Sequence, residues 1–149
     1  MIKKIIITLS LTCLTGGVTN VLAQDIPTLS PDDYDQWESL GNGTLSPSGT
    51  WLAVLISRVS DEGELRIHRT DTDSLVIVPF GTRPMFSQDG KWLAYAIGVS
   101  PEERDAAQEA DEPVHNSMGL LNLYTGHQET VDHIESFSFS DSGDYLALQ

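Results

Sequence analysis

Cysteine is almost missing from this sequence, because Cys13 is the only one among its 149 residues. Basic residues are also scarce: 8 Lys and Arg stand against 22 Asp and Glu, for a formal net charge of −14. So acidic a chain disfavours nucleic acid and anionic membrane surfaces as partners. Beyond the N-terminus, the sequence has no apolar run long enough to span a bilayer.

The N-terminal residues have the pattern of a secretory signal peptide. Lys3 and Lys4 precede a short apolar run, and Val21 and Ala23 occupy the small-residue positions of a cleavage site. We therefore predict a signal peptide at 1–23 and an exported mature chain, periplasmic or secreted, with no membrane segment after cleavage. A buried N-terminal helix is the alternative. The mature chain keeps no cysteine, which excludes disulfides and thiol chemistry in it.

Three copies of one ten-residue pattern organise the rest of the chain. Each copy has an apolar residue and Ser, a turn that ends in Gly, one polar residue, an aromatic residue, and then Leu, Ala and a further apolar residue. The copies are Leu45–Val54, Phe86–Tyr95 and Phe139–Leu148. A unit that recurs at roughly 40–50 residues is typical of propellers and other repeat arrays.

The pattern predicts a turn followed by a strand that is buried on both faces. Its glycines are expected to have a positive φ, and its serines to bond the turn backbone. The strand Trp92-Leu93-Ala94-Tyr95 does not alternate between apolar and polar residues, as stacked propeller blades require. Alanine recurs at one position of the strand, which predicts a tight contact at Ala53, Ala94 and Ala147.

These observations predict an all-β fold, a partial β-propeller of about two and a half four-stranded blades, preceded by a short helix and a signal peptide. The lead-in spans 24–41, where Ser30-Pro31-Asp32-Asp33 begins a helix that Gly41 ends. Tyr34, Trp37 and Leu40 form its apolar stripe. The incomplete propeller covers 42–149, divided into blade 1 at about 43–80, blade 2 at about 84–134 and the start of blade 3 at about 136–149.

The number of blades has a consequence for the chain as a whole. Closed propellers have roughly four to eight blades, and each blade packs on its neighbours. We therefore expect this chain to be the N-terminal part of a longer protein that stops inside the third blade. An open apolar face predicts that the segment alone is unstable or self-associates.

The second unit carries an additional segment, 100–113, between its second and third strands. Ser100 and Glu103 form a capping box, Pro101 suits the first helical position, and good helix formers continue to Ala110. We predict an exposed acidic insertion on one face of the blade. Its carboxylates either hold a cationic group such as a peptide amino terminus or, as we favour, form a solvated acidic face.

Known catalytic and ligand motifs are missing from the sequence. It has no Gly-x-Ser-x-Gly, no glycine-rich phosphate loop and no His-Glu-x-x-His, so we predict no catalytic, cofactor-binding or metal-binding residue and no cofactor in this segment. The histidines are interpreted as isolated surface or packing residues: His68, His115, His127 and His133. Asp71-Thr72-Asp73 is interpreted as a hairpin turn rather than a calcium site, and Asn42-Gly43-Thr44 as a chance match to the glycosylation pattern.

The three copies resemble propeller repeats of the form Phe-Ser-Pro-Asp-Gly-Lys-Trp-Leu-Ala-Tyr. Such repeats occur in the propeller of the periplasmic Tol-Pal system and in the prolyl oligopeptidase family of serine peptidases. The lead-in Leu29–Leu40, between the signal peptide and the first copy, looks like exported bacterial peptidases of the latter family. In that family a propeller precedes an α/β-hydrolase domain that supplies Ser, Asp and His.

This resemblance implies a parent serine peptidase, a hydrolase whose propeller admits short peptide substrates to a catalytic domain that this chain lacks. No catalytic residue of the family has a counterpart here. Glu102-Glu103 lacks the aromatic surroundings of the glutamate pair that grips the substrate amino terminus in the dipeptidyl branch. The alternatives are a non-catalytic periplasmic propeller that binds a protein partner, as in the Tol-Pal system, and a truncated product without activity.

Overall fold

The computed structural model describes residues 30, 34 and 37–149, which contain ten strands and one helix. The first sheet consists of β1 (Glu38–Leu45), β2 (Trp51–Arg58), β3 (Glu64–Arg69) and β4 (Leu75–Pro79). The second sheet consists of β5 (Gly81–Phe86), β6 (Trp92–Ile97), β7 (Ser117–Asn122) and β8 (Gln128–Val131), with helix α1 (Pro101–Ala110) between β6 and β7. A two-stranded sheet follows, β9 (Phe137–Phe139) and β10 (Leu146–Leu148).

Each sheet is an antiparallel meander whose strands are ordered as in the sequence. Two four-stranded meanders and the first hairpin of a third are the units of a β-propeller. The predicted fold class is therefore confirmed, as is the position of the helical insertion between the second and third strands of the second unit. Among the described residues, no helix is long and apolar enough to cross a membrane.

The main core lies between the two four-stranded sheets. The first sheet contributes Ala53, Leu65, Ile67 and Val78, and the second contributes Leu93, Tyr95 and Leu121, with Leu123 beyond the end of β7. The opposite face of the second sheet is also buried, through Ala94, Ala96 and Met118. Strand β6 is thus covered on both sides, as its non-alternating sequence predicts.

The predicted tight contact at the recurrent alanine holds in two of the three copies. Ala53 and Ala94 have no exposed surface. The prediction is wrong for Ala147, which is exposed because no other described strand packs on its face of the two-stranded sheet. The outer face of the first sheet, opposite Ala53, has the buried Val54 and Ile56 at its centre and four exposed apolar side chains around them: Leu40, Leu45, Leu75 and Ile77.

The predicted helix of the lead-in is wrong at its C-terminal end. Glu38 pairs with Arg58 and Leu40 with Ile56, so 38–41 lie in β1 rather than in a helix ended by Gly41. Trp37 makes a turn, in which its backbone N–H donates to the Tyr34 carbonyl at 3.1 Å. Backbone pairing along β2 outweighs the local helix signals of the sequence. The signal peptide and most of the lead-in lie outside the described residues.

Candidate functional site

The antiparallel meanders place the connections at two opposite ends of the sheets. One end, here called the turn rim, holds the repeated turns at 46–50, 87–91 and 140–144. The other end, here called the insertion rim, holds the connections at 59–63, 98–116 and 132–136. Helix α1 projects from the insertion rim, so the two rims differ in both length and chemistry.

The three turns of the turn rim have the same geometry. In each, the glycine N–H donates to the serine carbonyl at 2.9 Å, and the glycine has a φ between 69° and 79°. The serine hydroxyl accepts from the backbone N–H of the aromatic residue five positions on, at 3.0–3.2 Å. The predicted roles of the glycines and serines are confirmed for Gly49, Gly90, Gly143, Ser46, Ser87 and Ser140. These residues build the scaffold.

Asp89 gives the second turn a charge that the other two lack at this position, where they have Ser48 and Ser142. Its carboxylate accepts from the Ser87 hydroxyl at 2.6 Å and from the Lys91 backbone N–H at 3.1 Å, and it pairs with the Lys91 ammonium at 2.9 Å. These bonds, led by that from Ser87, lower the pKa of Asp89 to about 2. The carboxylate is therefore a fixed anion that stabilises the turn.

Four charged side chains form a closed network across β1, β2 and β3 on the outer face of the first sheet. Glu38 binds Arg58 at 2.5 Å and Arg66 at 2.6 Å, and Glu64 binds the same guanidinium groups at 3.2 and 2.5 Å. The hydrogen bonds from Arg66 and Arg58 lower the pKa of Glu38. Burial would raise the pKa of Glu64, but its bonds to both arginines outweigh burial and lower it. Each charge is satisfied by its neighbours.

The acidic insertion does not gather its carboxylates into a binding site. The Glu103 side chain accepts from the Ser100 N–H at 3.0 Å, and the Ser100 hydroxyl accepts from the Glu103 N–H at 3.2 Å, which forms the predicted capping box. No residue of α1 is buried. Arg104 reaches across to Asp61 at 3.5 Å, which ties the helix to the neighbouring connection. This arrangement favours the solvated acidic face.

The structure brings together two histidines that the sequence predicts to be isolated. The rings of His115 and His133 are in edge contact, with centroids 4.8 Å apart and planes 61° apart. His127 lies at the opposite rim beside Glu129, at 3.2 Å, and His68 lies within β3. The interpretation as isolated residues is therefore wrong for the pair. Among 37–149, no group of three or more His, Cys, Asp or Glu side chains could hold a metal ion.

Two further sequence motifs lie in ordinary structural positions. Asp71 is in the hairpin turn between β3 and β4, as predicted, and its carboxylate is bound by the Arg69 guanidinium at 2.8 and 3.3 Å. The Ser74 N–H donates to the Thr72 hydroxyl at 3.3 Å in the same turn. The Asn42-Gly43-Thr44 motif lies in β1, next to a bulge between Leu40 and Gly43.

Solved structures that resemble this fold include the propeller domain of one protease and two acylaminoacyl peptidase structures. The β-propeller domain of the Trilobed protease from Pyrococcus furiosus, which has an open velcro topology, matches with a TM-score of 0.53 at 15% identity over 75% of this chain and 34% of that chain. The acylaminoacyl peptidase of Pyrococcus horikoshii matches with a TM-score of 0.54 at 14% identity over 77% of this chain and 18% of that chain. An acylaminoacyl peptidase in complex with Z-Gly-Gly-Phe-chloromethyl ketone matches with a TM-score of 0.54 at 15% identity over 77% of this chain and 18% of that chain.

The likeness to these structures is one of fold, and this chain spans about a third or less of each matched chain. No family model and no curated protein sequence matches the chain. The fold is that of propeller blades, and peptidase propellers are among its structural neighbours.

Proposed function

We propose that this chain is the N-terminal part of the propeller of an exported serine peptidase of the prolyl oligopeptidase family. The propeller limits access of short peptides to an α/β-hydrolase domain that carries the Ser, Asp and His of catalysis. The observation that carries the proposal is the structural match, over about three quarters of the chain, to a protease propeller domain and to acylaminoacyl peptidases. The lead-in and repeat pattern point to the same family.

The chemistry of the described residues suits a filter rather than a catalyst. The repeated serines bind backbone N–H groups inside their turns, and Ser87 is fully buried. The charged network of β1, β2 and β3 is neutralised within itself. Strand β5 contacts β1, β2 and β3, so the first strands of the two blades come together at one side of the stack. On this proposal they line the path that a peptide follows.

A periplasmic propeller that binds a protein partner is the second candidate. It is favoured by the exposed apolar side chains of the outer face of the first sheet, among them Leu40 and Ile77. Exposed apolar surface of this kind is typical of protein interaction sites. The two candidates are distinguished by a serine-directed probe, which should label the full-length peptidase but not a non-catalytic propeller.

The decisive experiment uses the full-length gene product, together with the coding sequence beyond Gln149. The peptidase proposal expects a Gly-x-Ser-x-Gly motif followed by Asp and His, and labelling by a fluorophosphonate that is lost when the motif serine is changed to alanine. If the coding sequence continues with further propeller repeats and the protein is not labelled, the peptidase proposal is wrong and the binding proposal takes its place. A stop codon directly after Gln149 would support a product without activity.

Export and gating need separate measurements. The proposed signal peptide 1–23 predicts that the protein is recovered from the periplasm or medium with Gln24 as its first residue, read by N-terminal sequencing. Gating predicts that the full-length protein cleaves a short peptide but not a folded protein that displays the same cleavage site. Equal cleavage of both substrates would remove the gating role while leaving the peptidase proposal intact.

A further inference from the structure

The histidine pair lies at the base of the β7–β8 hairpin, on the insertion rim. His115 precedes β7 by two residues and His133 follows β8 by two. The Ile134 N–H donates to the Asn116 carbonyl at 2.9 Å, and the Ser117 hydroxyl donates to the Asp132 carboxylate at 2.8 Å. These two bonds tie the segments together directly beside the rings, so the hairpin sets the distance between them.

The backbone at His133 is unusual for this residue type. Its φ is 58°, in the left-handed region that non-glycine residues seldom adopt. Residues in this region persist where the surrounding contacts hold them, and they cluster at functional sites. The hydrogen bond of the next residue, Ile134, fixes the chain here.

Both imidazoles line an open cavity of about 480 Å³ and are accessible to solvent. The same cavity is also lined by Asn116, Glu135 and Gln149. Two imidazole rings therefore border one solvent-filled space. Imidazole nitrogen is a ligand for borderline metal ions such as Zn²⁺, Cu²⁺ and Ni²⁺, whereas Ca²⁺ and Mg²⁺ prefer oxygen ligands.

We propose that His115 and His133 form a two-imidazole site for a divalent transition-metal ion of the Zn²⁺ and Cu²⁺ class, with water completing its coordination. An imidazole nitrogen binds Zn²⁺ at about 2.0–2.1 Å, so two rings on one ion have centroids roughly 4.5–5.2 Å apart for angles near 90–110° at the metal. The observed 4.8 Å lies within that interval.

The proposal does not depend on the peptidase function, because the pair belongs to one hairpin of one blade. The sequence spacing conceals it, since the two histidines are 18 positions apart and match no ligand motif. The pairing of β7 with β8, in which Met118 lies opposite Val131, brings them together. His127 is a matched control, because it is also exposed but lies at the turn rim.

The test measures binding of Zn²⁺ and Cu²⁺ to the untagged full-length protein by isothermal titration calorimetry, with electron paramagnetic resonance of the Cu²⁺ form. We expect one ion per chain, tighter binding of Cu²⁺ than of Zn²⁺, and a spectrum with two imidazole nitrogens. Asn tolerates the left-handed conformation, so the variants are His115→Ala and His133→Asn, with His127→Ala as the control. Either site variant should weaken Zn²⁺ binding by more than the roughly 10–100-fold typical of losing an outer-shell partner.

Circular dichroism of each variant separates loss of a ligand from loss of fold. Unchanged affinity in His115→Ala and His133→Asn, or an equal loss in His127→Ala, would overturn the proposal. So would a Cu²⁺ spectrum with a single nitrogen, or the absence of saturable Zn²⁺ binding to the wild-type protein.

Discussion

The phenol ring of Tyr95 lies across the backbone of Gly119, its partner on the neighbouring strand. A Cβ atom on residue 119 would stand 2.2 Å from the Tyr95 Cε2 atom and 2.7 Å from its hydroxyl oxygen. Tyr95 is 2% exposed and belongs to the core between the two sheets. A glycine in a strand interior is otherwise destabilising, so its presence here is explained by the ring that needs its space.

Gly119→Ala should lower the free energy of unfolding by about 1–3 kcal/mol, because the ring and the new methyl group cannot both fit. Urea denaturation measures the change. Gly98→Ala is the matched control, since a Cβ there would meet its nearest neighbour at 3.6 Å, and it should change stability little. In a Tyr95→Ala background the cost of Gly119→Ala should largely vanish. An undiminished cost would show that the ring is not its cause.

The burial of Tyr95 also predicts a dependence of stability on alkaline pH. Burial raises the pKa of Tyr95 above its ordinary value of 10.0. The folded state therefore retains the phenol proton after the unfolded chain has lost it. The contribution of the Tyr95 phenol to the free energy of unfolding is fully present below pH 10 and is lost as the pH rises through the folded-state pKa. Tyr95→Phe should unfold with a smaller decline between pH 9 and 11, measured by denaturant titration, and identical declines would contradict the prediction.

Ser87 is fully buried and accepts from the Trp92 N–H at 3.0 Å. Ser87→Ala leaves that donor without its partner, so we expect a loss of about 1–3 kcal/mol in the free energy of unfolding. Ser140→Ala removes the equivalent bond to Tyr145 in the less buried third turn, and water can replace it there. Its cost should be smaller. An equal loss in the free energy of unfolding for the two variants would contradict the prediction that burial determines how much this hydrogen bond contributes to stability.

Asp89 predicts a loss of stability in acid. Its pKa of about 2 lies below the value near 3.9 of an unfolded chain, so its contribution is present above pH 4 and disappears as the pH falls from about 4 to 2. Asp89→Ser gives the second turn the residue that stands in the first and third turns. The variant should fold and lose less stability than the wild type across this window, as followed by urea titrations. Parallel curves would refute the assignment.

The outer face of the first sheet predicts self-association of the 149-residue chain. Ile77 is 48% exposed and lies opposite Arg66 in the register of the sheet. Ile77→Lys should shift the sedimentation coefficient towards that of a monomer, because it places a charge within the apolar surface. Thr125→Lys in the β7–β8 turn is the control for added charge and should leave the coefficient unchanged. A wild-type chain that sediments as a monomer at all concentrations would refute the prediction.

The parts of the fold that could be predicted from the sequence are those that local chemistry sets. Gly90 must have a positive φ, Ser87 must satisfy the turn, and Trp92 begins a strand without polar positions. Each of these depends on residues within a few positions of one another. Their threefold repetition predicts stacked blades, and the capping box of Ser100 and Glu103 likewise predicts α1.

The parts that could not be predicted depend on strand register. The end of the lead-in has helix-forming signals, yet Glu38 is held opposite Arg58 by pairing with β2. The same pairing assembles the charged network with Glu64 and Arg66. His115 and His133 meet only because the β7–β8 hairpin closes between them. A shift of one residue in either register would separate these groups, and no local pattern reveals it.

The turn of the third unit rests directly on the turn of the second. A Cβ on Gly143 would meet the Gln88 nitrogen at 2.9 Å, so the backbones of these two turns are in contact, whereas a Cβ on Gly90 would have no neighbour within 4 Å. Lengthening the third turn would force it against the second, whereas the opposite rim already accommodates the long connection 98–116. The two rims therefore have unequal freedom to diverge during evolution. New sequence can accumulate at the insertion rim, whereas the contact between the second and third turns limits insertion at the turn rim.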